Sequence, residues 1–307
     1  MTAGSESGID GSDGPSASAF PPFRNSRIIF GSCNSQHYEQ PFWKVIRKRN
    51  STAFIWVGDA VYADDQIRQS RSNDDHTEEQ NPWRWPTVLK GVSQFTSATP
   101  EYLRHLYAKQ LEVQGYRQLL QEDNGVGGKV SIFGAIDDHD YGMNNGDRTF
   151  RFRRESGIEF TKFLGLKSES SAMSRRAAKG LGVYGVQVYD FSSTTNRLLT
   201  DTEAGLDPDV VSELKDGSDR SNDSDDETTN QLVAVFVLDV RSNKTPWAKK
   251  IPDRFTQDPE GDFLGERQWK WLETAIGRSK ASVNIVVSGI QVHAPWFYDS
   301  NKIENWR

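Results

Sequence analysis

The sequence is poor in cysteine, in net positive charge and in long apolar runs, and each shortage excludes a class of protein. Its one cysteine, Cys33, excludes an intramolecular disulfide and any zinc site built from several cysteines. The formal net charge of -6 argues against a general nucleic-acid binder, which needs a basic face to displace counterions. No run of about 18 apolar residues occurs, and no basic segment leads into an apolar stretch near residue 1. The sequence therefore predicts neither a membrane span nor a secretory signal, and it leaves the compartment open.

Two stretches have a composition that cannot bury much apolar area. Residues 1–26 are rich in Gly, Ser and Asp and predict a disordered tail. Residues 201–230 hold 11 acidic residues and predict an acidic disordered insertion, although apolar residues from Leu206 onward indicate a short helix inside it. The nine Trp and 16 Phe of the chain are too many for a disordered protein. We therefore expect residues 27–307 to form one folded domain that carries the insertion.

The apolar pattern of this domain predicts an α/β fold. Short runs typical of buried strands lie at 27–30, 53–57, 130–136, 183–191, 232–239 and 282–287. Helical patterns lie between them, at 40–48, 100–120, 154–164 and 265–276. Strands that alternate with helices favour a sheet covered by helices.

Polar side chains able to bind metal follow three of these strands. Cys33 follows the first strand, Asp59 the second, and the cluster at 137–140 the third. Ligands of open α/β sheets bind beyond the carboxyl ends of the strands, so these three strand ends are expected to meet at one point. Each has a plainer interpretation too: Cys33 as an inert core thiol, and Asp59 as a turn or helix-capping residue.

The segment at 137–145 is the most specific of the three. It places three carboxylates, an imidazole and two amides within nine residues. Like charges so close together repel unless a cation offsets them, and these donors suit Ca, Mg, Mn or Fe. The alternative is a solvated acidic turn that pivots on Gly142.

Five segments, in this order, resemble the PhoD-like phosphatases (the alkaline phosphatase D family), in the form of the eukaryotic branch. They are FGSCNSQ at 30–36, WVGDAVYADD at 56–65, DDHDYGMNNGDRTF at 137–150, VLDVRSNK at 237–244 and LGERQWKWLETAI at 264–276. The resemblance implies the four-layer α-β-β-α sandwich of the metallo-dependent phosphatases. It also implies a centre of iron and calcium, or of Mn, Mg or Zn, that hydrolyses phosphomonoesters and, in some members, phosphodiesters.

The resemblance further implies roles for individual residues. Asp138 and His139 are expected to be catalytic, as proton-handling groups beside the metals. Arg154 is the expected phosphate-binding residue, with a solvated basic face as the alternative. The implied metal ligands are Cys33, Asp59, Asn145 or its neighbour Asn144, and one tyrosine: Tyr107 first, with Tyr102 and Tyr62 as alternatives.

One departure from the family pattern concerns the last segment. The family's closing Gly-Asp-x-His motif does not follow the strand that leads to Gly289 and His293. The resemblance therefore predicts that the C-terminal part of the domain is missing and that the chain as given is inactive. The alternative function is a catalytically inactive domain of this kind, which binds a phosphorylated ligand or partner without hydrolysing it.

Overall fold

The computed structural model describes residues 26–65, 95–123, 128–192, 196–213, 231–249, 255–256, 258 and 260–291. They form a mixed α/β fold around two main sheets. No helix within these residues is long and apolar enough to cross a membrane. Apart from Ser26, the predicted disordered tail at 1–26 lies outside the described residues, and so do residues 214–230 of the predicted acidic insertion.

The first sheet is parallel and supplies the strand ends that matter for the site. Its strands are β1 (Ile28–Gly31), β2 (Ala53–Val57) and β3 (Ser131–Ala135), in that spatial order. Ile28 is paired with Ala53, which is paired with Ser131. The first four residues of β2 are buried because both faces of this central strand are covered, as its continuous apolar run predicts. Since the three strands run in one direction, their carboxyl ends share one edge of the sheet.

The second sheet is mixed, with the strand order β5-β4-β6-β9. The strand β4 (Gly185–Asp190) runs antiparallel to β5 (Arg197–Leu199) and to β6 (Leu232–Val237), and β6 runs parallel to β9 (Val283–Val287). A separate antiparallel ribbon joins β7 (Ala248–Lys249) to β8 (Phe255–Thr256).

The helices are, in chain order, α1 (Phe42–Arg47), α2 (Pro100–Glu112), α3 (Gln114–Gln121), α4 (Asp138–Tyr141), α5 (Arg153–Phe163), α6 (Ala172–Ala178), α7 (Asp201–Ala204), α8 (Pro208–Glu213) and α9 (Gly265–Gly277). The single helix predicted at 100–120 is therefore two helices. Val113 separates them, since its ψ of 117° is not helical. Gly115 then lets α3 approach α1, because a Cβ at this position would lie only 2.6 Å from the Cβ of Trp43.

One face of the first sheet is covered by helices. Trp56 of β2 lies 5.8 Å from Tyr116 of α3 and 6.1 Å from Phe163 of α5, measured between ring centroids. Phe54 lies 5.2 Å from Trp43 of α1. These five aromatic side chains are buried, and burial of such large rings is a main source of the stability of this side of the core.

The other face of the first sheet meets the second sheet. Ser131 of β3 has its Oγ 3.4 Å from the Oη of Tyr189 on β4. A Cβ on Gly185 would lie 3.5 Å from the Phe133 ring. Beyond the second sheet, Trp271 of α9 packs against Tyr184 with ring centroids 5.0 Å apart.

The start of the predicted insertion differs from expectation. Residues 201–213 form α7 and α8, and Leu206 is buried. The reason lies in Asp207, whose carboxylate makes two bonds to the buried Arg176 of α6, at 2.7 and 3.0 Å. These 13 positions are held to the core through this ion pair, and α8 lies where the apolar residues from Leu206 onward indicate a short helix.

Candidate metal centre

The loops that follow β1, β2 and β3 meet at the carboxyl edge of the first sheet. The N–H of Asn34 donates to the carbonyl oxygen of Asp59 at 2.8 Å, and the N–H of Gly58 donates to that of Ala135 at 3.1 Å. Gly58 has a φ of 85°, and a Cβ there would lie 2.4 Å from the Cβ of Asp137. Only glycine allows this approach, so the three predicted strand ends do converge at one point.

Asp59 lies at the centre of this convergence. The Cys33 Sγ donates to Asp59 Oδ2 at 3.7 Å, across 26 residues of sequence. Asp59 Oδ1 accepts a longer hydrogen bond, of 3.4 Å, from the main-chain N–H of His139. The Asp59 carboxylate is therefore placed between the thiol from the first loop and the imidazole-bearing residue of the third.

Asp59, Asp138 and His139 each offer one ligand atom, and these three atoms lie within 4.8 Å of one another. Both aspartates are buried and His139 is half-buried. Buried carboxylates without a nearby cation are costly, so this grouping has the donor chemistry and the excess negative charge of a metal site.

The remaining carboxylates of the third loop have structural tasks. Asp140 Oδ1 accepts from the main-chain N–H of Asp137 at 2.6 Å, and its Oδ2 accepts from that of Ala60 at 3.1 Å. Asp140 thus caps the start of α4 and ties it to the loop after β2. The helix ends after one turn because Gly142 adopts a left-handed φ of 97°. Asp140 therefore stabilises the fold, whereas Asp138 and His139 of the same segment belong to the candidate metal site.

Asn145 is the amide residue that reaches the site. Its main-chain N–H donates to Asp138 Oδ2 at 2.7 Å. This hydrogen bond holds one oxygen of Asp138 and fixes the loop after α4. Of the two candidate amides, the structure brings the backbone of Asn145 to the aspartates; a ligand role for its side chain stays a prediction.

Backbone strain is concentrated at the predicted ligands. Cys33, Asp59 and Asn145 have φ values of 55°, 52° and 54°, in the left-handed region. Among the described residues other than glycine, only Asn50 shares this conformation. Asparagine tolerates it, but it is unfavourable for cysteine and aspartate. Strained residues of this kind cluster at functional sites, where the surrounding structure holds them in place.

The structure favours a different tyrosine from the first choice made from the sequence. The Tyr107 hydroxyl donates to the main-chain carbonyl oxygen of Asp140 at 3.2 Å, and its ring stacks on Phe163. The Tyr62 hydroxyl, in contrast, is hydrogen-bonded to Cys33. Tyr62 therefore replaces Tyr107 as the phenol beside the thiol. The signal was present in the sequence, because Tyr62 follows Asp59 by three residues in the same loop.

The candidate site also has a different arginine from the predicted one. The Nε of Arg154 donates to the carbonyl oxygen of Ala178 at the end of α6, and its side chain is 52% exposed. Arg241, which follows β6, is buried instead beside the aspartates: its Nη2 lies 2.6 Å from Asp137 Oδ1 and 3.8 Å from Asp138 Oδ1. The structure thus brings Arg241, rather than Arg154, to the acidic cluster. Arg241 lies in the fourth of the five matching segments, at 237–244, but it has no role in the sequence-based assignment.

Crowding of charge shifts the ionisation of the site. Burial, together with the charges of Asp137 and Asp138, raises the pKa of Asp59 to about 7. Burial acts on Asp138 in the same direction, but Arg241 and His139 outweigh it and lower the pKa of that carboxyl. Asp59 is therefore the carboxylate that would gain most from a bound cation.

The pKa of the His139 imidazole is raised, whereas burial of an isolated base would lower its pKa. Burial alone would lower its pKa, but the hydrogen bond to Asp64 and the charges of Asp138 and Asp59 raise the pKa of His139 to about 9. The bond to Asp64 is short, with 2.8 Å between His139 Nδ1 and Asp64 Oδ1. Asp64 has no role in the sequence-based assignment, although it lies in one of the five matching segments.

No protein-family model matches the chain, and no curated protein matches it. A solved structure of PhoD is similar to it, with a TM-score of 0.45 and 16% sequence identity. The match covers 84% of this chain and 40% of the PhoD chain, so this chain spans less than half the length of that protein. At this identity and TM-score the similarity carries no argument about function.

Proposed function

We propose that the chain is a metal-dependent phosphoesterase, which hydrolyses phosphomonoesters, and phosphodiesters in addition, by the attack of an activated water. The main support is the placement of Asp59, Asp138 and His139, whose ligand atoms lie within 4.8 Å of one another at converging strand ends. The five segments that resemble the PhoD-like family, eukaryotic branch, favour the same reaction. In this proposal residues 27–307 form one domain of the four-layer α-β-β-α kind.

The residues present fit a mixed-metal centre. The Cys33 thiol and the Tyr62 hydroxyl, beside Asp59, are donors that favour a transition metal such as iron over a purely hard cation. Asp138 offers carboxylate oxygens of the kind that suit calcium, and the side-chain amide oxygen of Asn145 would be a further donor. Asp59 would serve both ions, since a carboxylate has two oxygens. Manganese, magnesium and zinc are the alternatives.

A bound cation would supply positive charge to the phosphate oxygens and would make water a stronger acid. The residues of the chain have separate tasks in the proposed reaction. Asp59 and Asp138 hold the ions, and Arg241 keeps Asp138 ionised through its own positive charge. Water attacks phosphorus and loses a proton, the ester P–O bond breaks, and His139 gives a proton to the leaving oxygen. A phosphomonoester gives an alcohol and inorganic phosphate, and a phosphodiester gives an alcohol and a phosphomonoester. The proton lost by water passes to the solvent, from which His139 regains the one that it supplies.

An activity assay with defined metals tests this proposal. The assay compares the chain as given, for which the resemblance predicts no activity, with one extended through the family's closing Gly-Asp-x-His motif. Each protein is first stripped of metal by a chelator and then supplied with Fe, Ca, Mn, Mg or Zn, singly and in pairs; the expectations below are for the extended protein. The substrates are p-nitrophenyl phosphate and bis(p-nitrophenyl) phosphate. We expect activity only with metal, and a loss of about 10²-fold or more in Asp59→Asn, since this change removes the shared ligand.

Asp201→Asn is the matched control for Asp59→Asn. The Asp201 carboxylate accepts one main-chain N–H, from Ala172 at 2.7 Å, and an Asn oxygen can accept the same bond. This variant should keep full activity. Binding of inorganic phosphate, measured by calorimetry, without turnover of either ester would replace hydrolysis by the binding function. Full activity in Asp59→Asn would overturn the metal assignment.

A further inference from the structure

The chain that leaves the candidate metal centre after α4 is held firmly in place. The main-chain N–H of Arg148 donates to the carbonyl oxygen of Lys244 at 3.1 Å. The carbonyl oxygen of Asp147 accepts a hydrogen bond of 3.1 Å from the Tyr141 hydroxyl. Phe150 is buried, and its ring centroid lies 5.2 Å from that of Tyr141. Side chains carried by this segment therefore start from a fixed main chain.

Three arginines of this segment are exposed and have no acidic partner. Arg148, Arg151 and Arg153 are exposed, and none of them forms a salt bridge within the part of the chain that the structure describes. The guanidinium of Arg153 donates to the carbonyl oxygen of Arg148 at 3.1 Å, and that of Arg151 lies 4.4 Å from the ring centroid of Phe152. Neither contact neutralises a charge. We call residues 148–153, with these three arginines, the basic loop.

The acidic residues next to the basic loop have other partners. Oδ1 of Asp147 accepts the main-chain N–H and the hydroxyl of Thr149, at 2.8 and 2.7 Å. Oε1 of Glu155 lies 3.7 Å from Nη1 of Arg154. The chain as a whole has a net charge of -6, so the basic loop is a local excess of positive charge on an acidic protein. Such an excess attracts anions.

The basic loop borders the candidate metal centre. Gly142, which ends α4, follows His139 by three residues, and a Cβ at Gly142 would lie 3.7 Å from the Phe150 ring. From the other side, Arg241 Nη1 donates to the carbonyl oxygen of Gly146 at 3.5 Å. The basic loop is thus joined to the centre both by a short stretch of chain and by a residue that also contacts Asp137.

We propose that the basic loop binds a second phosphate group of the substrate, so that the esters hydrolysed best carry one phosphate at the metal centre and another at this loop. This inference rests on the proposed phosphoesterase function and names its substrate class. A guanidinium suits the task, because it can donate two parallel hydrogen bonds to the oxygens of one phosphate. The long arginine side chains are free to turn toward such a group, since no carboxylate holds them.

The rival interpretation is a solvated basic face without a ligand. Two triple variants separate the interpretations. The first, Arg148→Gln/Arg151→Gln/Arg153→Gln, removes the charge of the basic loop. The second, Arg117→Gln/Lys270→Gln/Arg278→Gln, removes three exposed positive charges from α3 and α9 and is the matched control. A solvated face predicts that the two variants behave alike, whereas a phosphate site predicts an effect of the first alone.

The first measurement needs no activity. Metal-free wild-type protein, freed of chelator by dialysis, is titrated with tripolyphosphate in a calorimeter, with inorganic phosphate as the comparison. We expect tripolyphosphate to bind, with a Kd that rises with NaCl, and we expect the basic-loop variant to bind it about tenfold more weakly, since three exposed charge contacts are lost. The control variant should stay within about twofold. If the triple variant does not fold, Arg151→Gln alone should weaken binding by about twofold to threefold.

The second measurement compares esters in the metal-loaded, extended protein. The value of kcat/KM for glucose 1,6-bisphosphate should exceed the sum of those for glucose 1-phosphate and glucose 6-phosphate by about tenfold. The sum allows for the two ester bonds of the bisphosphate. In the basic-loop variant this preference should vanish, mainly through a raised KM for the bisphosphate, while both monophosphates are hydrolysed as before. The control variant should keep the preference.

The outcomes distinguish this inference from the proposed function. Hydrolysis of all three esters without a preference for the bisphosphate would overturn the role of the basic loop and leave the phosphoesterase function intact. Absence of tripolyphosphate binding, or an equal loss in the control variant, would overturn it as well. An extended protein that hydrolyses none of the esters with any metal would instead refute the proposed function, and the substrate class would fail with it.

Discussion

Arg241 Nη2 lies 2.6 Å from Asp137 Oδ1, although 104 residues separate the two in sequence. The Nε of the same guanidinium donates to the same oxygen at 2.7 Å, and the Arg241 side chain is only 3% exposed. This contact joins the segment after β6 to the start of α4. The second sheet thus supplies a positive charge to the strand ends of the first. Arg241 therefore affects both the stability of the fold and the pKa of Asp138 in the candidate site.

Removal of this guanidinium should be costly. Arg241→Met keeps most of the buried stem but leaves Asp137 and Asp138 without their cation. Breaking a buried ion pair on one side typically costs about 3–5 kcal/mol of unfolding free energy, and we expect a loss of that order in urea denaturation. Arg154→Ala is the comparison, since its side chain is half exposed; it should cost less than about 1 kcal/mol and leave KM for phosphate esters unchanged. A raised KM in Arg154→Ala would restore the original assignment of that arginine.

The metal-free protein should lose stability as pH rises. In the folded state the pKa of Asp59 is about 7, above its usual value of 3.8, so the folded protein binds this proton more tightly than the unfolded chain does. Its contribution to stability is fully present below pH 4 and is lost as pH rises through about 7. His139 acts in the same direction, since its pKa of about 9 exceeds the ordinary 6.5.

Thermal unfolding in the presence of a chelator measures this effect. The difference in Tm between Asp59→Asn and the wild type should grow in favour of the variant between pH 4 and pH 8, because Asn carries no charge at any pH. Addition of Ca or Mn should raise the Tm of the wild type at pH 8 and leave that of the variant nearly unchanged. A difference in Tm that is constant with pH would show that Asp59 is not crowded by its neighbours.

Much of the first sheet could be predicted from the sequence, because its buried strands are continuous apolar runs that end in polar residues. The convergence of Cys33, Asp59 and the third loop follows from that pattern, since parallel strands end at one edge. The sequence could not rank Tyr107 and Tyr62 by position, because a helical tyrosine and a loop tyrosine look alike when side-chain direction is unknown; which of them is a ligand stays a prediction. Only the structure shows that the Tyr107 hydroxyl is bound to the main chain of Asp140.

The positions of Arg241 and of Asp207 could not be predicted for a different reason. Both depend on ion pairs between residues far apart in sequence, and charge patterns alone do not reveal which partners meet. The acidic composition of residues 201–230 correctly indicates poor burial capacity, but it hides Asp207, which is buried because Arg176 neutralises it. Long-range pairing of this kind overrides local composition.

The Arg176–Asp207 pair yields its own prediction. Both side chains are at most 4% exposed, and Arg176 also donates to the carbonyl oxygen of Tyr184. Asp207→Ala should lower the unfolding free energy by about 3–5 kcal/mol, since it leaves a buried guanidinium short of a partner. Glu203→Ala on α7 is the matched acidic control and should cost much less, since Glu203 is exposed and its bonds to Thr200 and Arg197 are open to solvent. Equal and small losses in the two variants would indicate that α8 does not pack as described.

The strained conformation of Asp59 predicts that function and stability oppose each other at this residue. Its φ of 52° costs about 1–2 kcal/mol for an ordinary side chain and nothing for glycine. Glycine, however, gives the unfolded chain more freedom, which is worth roughly 0.5–1 kcal/mol in the other direction. Asp59→Gly should therefore be more stable than Asp59→Ala by about 0.5–1 kcal/mol in metal-free protein, because both lack the charge and only the first relieves the backbone. Both should be inactive.

Asn50→Gly provides the reference for backbone strain away from the site. Asn50 has a φ of 48° at an exposed position after α1, and asparagine tolerates this region better than aspartate does. Its replacement should change the unfolding free energy by less than about 0.5 kcal/mol, with activity intact. Chemical denaturation of the four proteins, with the wild type included, gives each difference directly. If Asp59→Gly proves less stable than Asp59→Ala, the left-handed backbone at Asp59 stores no strain, and the shared conformation of Asp59, Cys33 and Asn145 is then no sign of function.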